Sequence, residues 1–225
     1  MENRCRILAA AARVYAEFGF RGATTRRIAL AAGVNEVTLF RTFGSKETLI
    51  EEALRFHAVT ESESARALPD APADPERELT AWATAQLTDL ATHRALIRKT
   101  MSELEERPDL APTVTAGWAA CDMALHAYLH RMRAAGFVDP ATSTDDLFAA
   151  GAMLLAALFS DAMGRDLLPA LYPQPAASAP AVYVRLFLRA IARCGPAVDA
   201  PPARERAPAA APAAAGTYPE PLPSR

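Results

Sequence analysis

Between residues 24 and 46 the chain concentrates groups able to bind phosphates and to read base edges. They are hydroxyls at Thr25, Thr38 and Thr42, cations at Arg26, Arg27, Arg41 and Lys46, an amide at Asn35, a carboxylate at Glu36 and a branched apolar side chain at Val37. Cations and hydroxyls donate to phosphate oxygens, which positions a protein on a duplex. Arg, Asn, Glu and small apolar groups discriminate bases in a major groove. By type, Arg26, Arg27 and Lys46 suit phosphates, with the Thr25 hydroxyl beside them. Arg41 suits either a guanine edge or a phosphate, and Val37 a thymine methyl. Glu36 either accepts from a cytosine amino group or stabilises a helix N-terminus. The competing reading for each is an ordinary solvated helix face.

Such groups act together only if two short elements hold them at a fixed angle. The run TTRRIALAAGVNEVTLFRTF, Thr24 to Phe43, predicts two. Thr24 is placed to cap a first helix, because its hydroxyl can accept a backbone N–H left free in the opening turn. Ile28, Ala29 and Ala32 share one face of it. Gly33 stops it where a left-handed residue is needed. Asn35 is the next N-cap and opens Glu36–Phe43. Helix, tight glycine turn and helix is the helix-turn-helix plan, whose second helix can enter a major groove.

The pattern T-T-x-x-I-A-x-x-A-G-V-x-x-x-T-L-F-x-x-F-x-S-K-E is more specific than that plan. It is carried by Thr24, Thr25, Ile28, Ala29, Ala32, Gly33, Val34, Thr38, Leu39, Phe40, Phe43, Ser45, Lys46 and Glu47. It resembles the N-terminal domain of the TetR (tetracycline-repressor-like, TetR/AcrR) family of transcriptional regulators, and the similarity runs from Ile7 to Leu49. The resemblance implies that Thr25 donates its hydroxyl to a phosphate. Two positions depart from the family pattern. Phe40 stands where Tyr is common and lacks the phosphate-binding hydroxyl, so it is left out of the site; Thr42 stands where His is frequent.

Bulk properties agree with a helical protein. The 225 residues are 51% hydrophobic and 22% charged, with 10 Gly. Residues 1–49 carry eight Lys or Arg against four Glu, a net +4, while residues 50–225 carry 16 cations against 22 acids, a net −6. A basic head on an acidic body suits a head that meets phosphates. Cys5, Cys121 and Cys194 are odd in number and have no short spacing, so reduced thiols and a cytoplasmic setting are expected. The N-terminus shows no secretory pattern, and the longest apolar run, Leu147–Phe159, is too short to span a bilayer.

Upstream, Asn3 is expected to cap a helix over Arg4–Phe18, closed by Gly19. Its stripe of Ile7, Leu8, Val14 and Phe18 would share a core with Ile28, Val34, Leu39 and Phe43. Downstream, Ser45 caps a connecting helix read as running to Ala67, and Pro69–Pro75 forms a loop. The body is then read as helices over Glu76–Leu90, Thr92–Glu106, Asp109–Ala135, Thr144–Gly164 and Ala179–Cys194. The fourth of these is apolar nearly all round, which predicts burial on more than one side. The Pro- and Ala-rich tail from 196 to 225 is read as disordered.

The fold class is therefore all-α. A helix-turn-helix head (1–60, with its motif at 24–43) is joined by a connecting helix to a helical effector-binding and dimerisation body (61–195). The resemblance implies an effector pocket in that body, with Trp82, Met101, Trp118, Cys121 and Met123 as candidate walls and ordinary core as the alternative. An apolar lining favours an apolar or amphiphilic effector. Asp122, His126 and His130 lie four residues apart on one helix face, yet no second ligand motif accompanies them, so no metal or cofactor is assigned. No Ser-His-Asp set, phosphate loop or nucleotide fingerprint is present, and enzymatic activity is not expected. The reading is a cytoplasmic, homodimeric DNA-binding regulator, most often a repressor in that family, acting on a near-palindromic operator and responding to a small effector. The alternative is a DNA-binding structural protein with no effector.

Overall fold

The computed structural model describes residues 2–60 and 68–192. Among them are nine α-helices: α1 (Glu2–Gly22), α2 (Thr25–Ala32), α3 (Glu36–Phe43), α4 (Lys46–Thr60), α5 (Pro75–Thr92), α6 (Arg94–Glu103), α7 (Ala111–Ala134), α8 (Thr144–Gly164) and α9 (Ala179–Ile191). One isolated antiparallel bridge joins Val138 to Ala192. The expected end of the connecting helix, Cys194 and the Pro/Ala-rich tail lie outside the described residues.

The head forms around α1, whose Ile7, Leu8, Ala11, Val14 and Tyr15 are buried together with Ile28, Ala29 and Ala32 of α2 and Leu39 and Phe43 of α3. Gly19 breaks α1 at φ 67° and ψ −179°, a conformation that penalises any Cβ. Two expectations fail here. Asn3 is not an N-cap, because the helix already begins at Glu2; its side chain instead accepts from Arg6 at 2.5 Å. Phe18 is not core but 42% exposed. The Arg27 guanidinium covers its ring at 4.3 Å, while buried Tyr15 and Ala23 complete the core at that end.

The head core continues without a break into the body. Leu110 is buried in it, and Leu96 and Leu104 of α6 and its following turn pack against it. Thus α6 lies against α1, and α7 against α4. A second core unites Leu79, Trp82 and Ala83 of α5, Cys121, Leu125, Tyr128 and Leu129 of α7, Leu154, Leu155 and Leu158 of α8, and Val184 and Phe187 of α9. Fully burying each leucine, valine or phenylalanine among them is worth about 1.5–3 kcal/mol.

The expectation for Thr144–Gly164 is half met. Its bounds are those predicted, and Ser143 and Asp146 close a capping box at its start. Leu147, Gly151, Leu154, Leu155, Leu158 and Ala162 are buried against α5, α7 and α9. The opposite face is open, with Met153 73% exposed, and Phe148 at its margin is 44% exposed. With a mean hydropathy of 1.7 over an 18-residue window, the helix is long and apolar enough to cross a membrane by composition. It nevertheless carries a buried charge. Asp161 accepts from Tyr183 of α9 at 2.8 Å and pairs with Arg165. Arg94 and Arg98 of α6 reach its last carbonyls, Ala162 and Met163, where cations suit the negative helix end.

Candidate nucleic-acid interface

Local chemistry fixes the two short helices. Thr24 Oγ1 accepts from the Arg27 N–H at 3.3 Å, so α2 starts where predicted. Gly33 adopts φ 63° and ψ 38°, and the following Val34 N–H returns to the Ala29 carbonyl at 3.0 Å. That pattern closes a helix through a left-handed residue. Asn35 Oδ1 then accepts from the Val37 N–H at 2.9 Å and opens α3. From α1, Arg6 Nε donates to the Ala32 carbonyl at 3.0 Å and satisfies an end of α2.

With Ile28, Ala29, Ala32, Leu39 and Phe43 facing the core, the remaining side chains of α2 and α3 face outward. Arg26, Arg27, Asn35, Val37, Arg41 and Thr42 are exposed, and Thr25, Glu36, Thr38 and Lys46 are half-buried. The ten residues proposed from sequence for DNA contact thus lie on or beside the outer faces of one helix pair. Their states differ. The side chains of Arg26 and Arg41 make no hydrogen bond or ion pair among the described residues. Arg27 donates to the Gly22 carbonyl at 2.9 Å while lying over Phe18. Lys46 Nζ donates to the Phe20 carbonyl at 2.9 Å and sits 4.1 Å from that ring's centre. The Thr42 hydroxyl donates to the Thr38 carbonyl at 2.8 Å, and the Thr25 hydroxyl donates to the Glu36 carboxylate. Leu30 at 84% and Phe40 at 50% exposure add apolar surface that the sequence reading did not count.

The joint between head and body also escaped that reading. The Phe20 ring meets both Lys46 Nζ and the Arg107 guanidinium, the latter 4.0 Å from its centre. Its N–H donates to Glu103 at 2.9 Å. The partners stand 83 residues apart in sequence, so no local pattern announces them.

In the body, the five candidate pocket residues separate. Trp82 and Cys121 are buried in the second core, and the Cys121 thiol donates to the buried Gln86 side chain at 3.2 Å. Trp82 Nε1 has no hydrogen-bond partner among the described residues. Met101 is 46%, Trp118 37% and Met123 65% exposed, so these three are surface residues of the chain, and Trp118 makes an edge contact with Phe159. His126 Nδ1 lies 3.2 Å from the Asp122 carboxylate and its ring stacks on Phe148, which His130 meets edge-on. Among the described residues no group of three or more His, Cys, Asp or Glu side chains is placed to hold a metal.

Known proteins share this architecture. Residues 7–53 match the family model described as bacterial regulatory proteins, tetR family. The HTH-type transcriptional regulator YvkB of Bacillus subtilis (strain 168) is 30% identical over 133 residues, which is 59% of this chain and 69% of that protein. A TetR-family regulator of Mesorhizobium loti MAFF303099 superposes with a TM-score of 0.68 at 20% identity, over 85% of this chain and 97% of the other. The fatty acid degradation regulator FadR of Bacillus halodurans gives 0.63 at 21%, over 84% and 94%. At such identities the two structures establish the fold alone. The helix-turn-helix geometry, the match over its residues and the likeness to YvkB together make this chain a member of the TetR family, a DNA-binding transcriptional regulator and not an enzyme.

Proposed function

We propose that the protein is a homodimeric repressor that leaves a near-palindromic operator when its body binds a small apolar or amphiphilic molecule. The observation that carries the dimer is the open apolar face of α8 and α9: Phe148, Met153 and Leu186 are exposed on helices whose other faces form the body core. Two copies joined there bury that surface and present two α3 helices to successive half-sites. DNA contact is assigned to Thr25, Arg26, Arg27, Asn35, Glu36, Val37, Thr38, Arg41, Thr42 and Lys46. The division into a head of residues 1–60 and a body of 61–195 is part of the same proposal, as is a cytoplasmic setting, where an operator is accessible.

Two features support an effector. A buried indole N–H without a partner costs about 1–3 kcal/mol, and among the described residues Trp82 holds one inside the core that also contains Cys121. A ligand with an apolar body and one acceptor would satisfy it. Contacts of α6 with α1 and of α7 with α4 then give body rearrangements a route to the head. FadR, by its name a fatty acid degradation regulator, is similar in fold.

Selection of sites from random duplex DNA tests the reading. An inverted repeat that loses affinity on Arg41→Ala, bound by a dimer in light scattering, is the expected result. Weak, salt-sensitive binding with no enriched sequence would instead favour a structural DNA-binding protein.

A further inference from the structure

The first residue of α2 and the first residue of α3 are tied together, because the Thr25 hydroxyl donates to the Glu36 carboxylate. Both side chains are half-buried, with Arg26 and Val37 exposed beside them. At the same corner the Thr25 and Arg26 N–H groups have no acceptor among the described residues, since the Thr24 hydroxyl serves Arg27 and its carbonyl serves Ile28. A hydroxyl, free amides and the positive end of a helix are what an anion seeks. Here the anion comes from the chain itself. A hydroxyl has one proton to give, so a phosphate approaching Thr25 must displace Glu36. If it does not, two negative groups share one corner and repel.

We propose that Glu36 is a specificity-determining residue that stands in for a DNA phosphate at Thr25. It releases the hydroxyl only on duplexes that offer its carboxylate another donor. In a major groove that donor is the exocyclic amino group of cytosine, the partner a carboxylate reads. On other sequences the carboxylate keeps Thr25 and the backbone contact is weakened, so non-specific binding suffers more than specific binding. The proposal rests on α2 and α3 being the DNA-reading pair.

The test measures duplex binding by fluorescence anisotropy for wild type, Glu36→Ala, Glu36→Gln, Thr25→Val and the Thr25→Val/Glu36→Ala double variant. Each is titrated with a random-sequence duplex pool and with the site selected by wild type. Glu36→Ala is expected to bind the pool about threefold to tenfold tighter, and its preference for the selected site to fall about tenfold, with Glu36→Gln moving the same way. Thr25→Val should weaken pool binding by a severalfold larger factor in the Glu36→Ala background than in the wild-type background. An equal effect of Thr25→Val in both backgrounds overturns the proposal, as does a Glu36→Ala that weakens pool and site in proportion. A wild-type protein that binds no duplex overturns the DNA-reading assignment itself, which is a separate outcome.

Discussion

The backbone N–H of Phe20 donates to the Glu103 carboxylate at 2.9 Å to Oε1 and 3.2 Å to Oε2, which fastens the end of α6 to the last turn of α1, past its break at Gly19. This N–H is available because Gly19 leaves the helical conformation at φ 67°. The Phe20 carbonyl is held from the other side by Lys46 at the start of α4. One residue thus donates to the body and accepts from the connecting helix. Close by, burial and the neighbouring Glu103 carboxylate raise the Tyr15 hydroxyl well above its ordinary titration range, so it stays neutral.

Removing that carboxylate isolates its contribution. Glu103→Ala should cost about 1–2 kcal/mol, a drop of roughly 2–6 °C in melting temperature by circular dichroism. Gly19→Ala should also destabilise, because its Cβ would fall 2.3 Å from Glu103 Oε1 and its φ is left-handed. The double variant should lose less than the sum, since truncating Glu103 removes the closest clash and leaves the backbone strain and a tight approach to Lys99 Cε at 3.2 Å. Strict additivity would show that the two residues do not meet.

The exposed cations of the helix pair are expected to separate by role. Arg26→Ala should weaken all duplexes alike and reduce the salt slope of binding by about one. Arg41→Ala should cost about 1–3 kcal/mol on the selected site alone if it reads a base, and behave like Arg26→Ala if it grips a phosphate. Titrations of both variants against sodium chloride, on the selected site and on random duplex, distinguish the cases.

Which of these features could be read from sequence follows from the range of the forces that make them. Thr24, Gly33 and Asn35 act on amides two to five residues away, so the start, stop and restart of the motif were legible. So were the bounds of α8, where Ser143 and Asp146 cap locally. What Arg27, Lys46 and Thr25 bond to was not, because their partners are set by how α1, α3 and the Phe20 turn come together. Phe18 illustrates the same limit: its spacing places it on the apolar stripe, but the break at Gly19 leaves it under Arg27. The open face of α8 was legible only as a surplus of apolar surface, because periodicity reports how much of a helix is apolar and not how many neighbours one chain supplies. The five suggested pocket walls divided for a similar reason, since Met and Trp occur on partly open faces as readily as inside.

Acid should destabilise the body through Glu78. Burial works against its charged form, but donation from the Tyr128 hydroxyl and the N–H groups of Asp74 and Ala73 outweighs it, so its carboxyl titrates below its ordinary value. A folded-state value lower than the unfolded one means that the stabilisation is present above the unfolded value of about 4.3 and is lost as pH falls through the folded one. Melting temperature should therefore decline below about pH 5. Glu78→Gln should be less stable at pH 7 and show a shallower decline on the acid side. An unchanged acid limb would assign the decline to other carboxyls.

Asp161 should be the least replaceable charge in the body. It is 1% exposed, pairs with Arg165 and accepts from Tyr183. Asp161→Ala leaves Arg165 and the Tyr183 hydroxyl without their acceptor between α8 and α9, a loss of about 3–5 kcal/mol for a buried pair broken from one side. Tyr183→Phe should cost only about 1 kcal/mol, because the ion pair survives. Urea unfolding of the two variants checks the ranking, and equal losses would show that the hydroxyl matters as much as the charge.

Met153 offers the sharpest separation between folding and assembly. At 73% exposure on α8 it contributes little to the core of a single chain, so Met153→Glu should leave the helical circular dichroism signal intact. In a dimer joined through α8 and α9, the same change sets two carboxylates into a desolvated apolar contact, where unpaired charge is strongly disfavoured. Light scattering should then report about 24 kDa where wild type gives about twice the 24.1 kDa of one chain. Affinity for a two-half-site operator should fall by far more than affinity for a single half-site, because only the dimer couples two heads. A Met153→Glu protein that keeps both its mass and its operator affinity would place the interface on another surface.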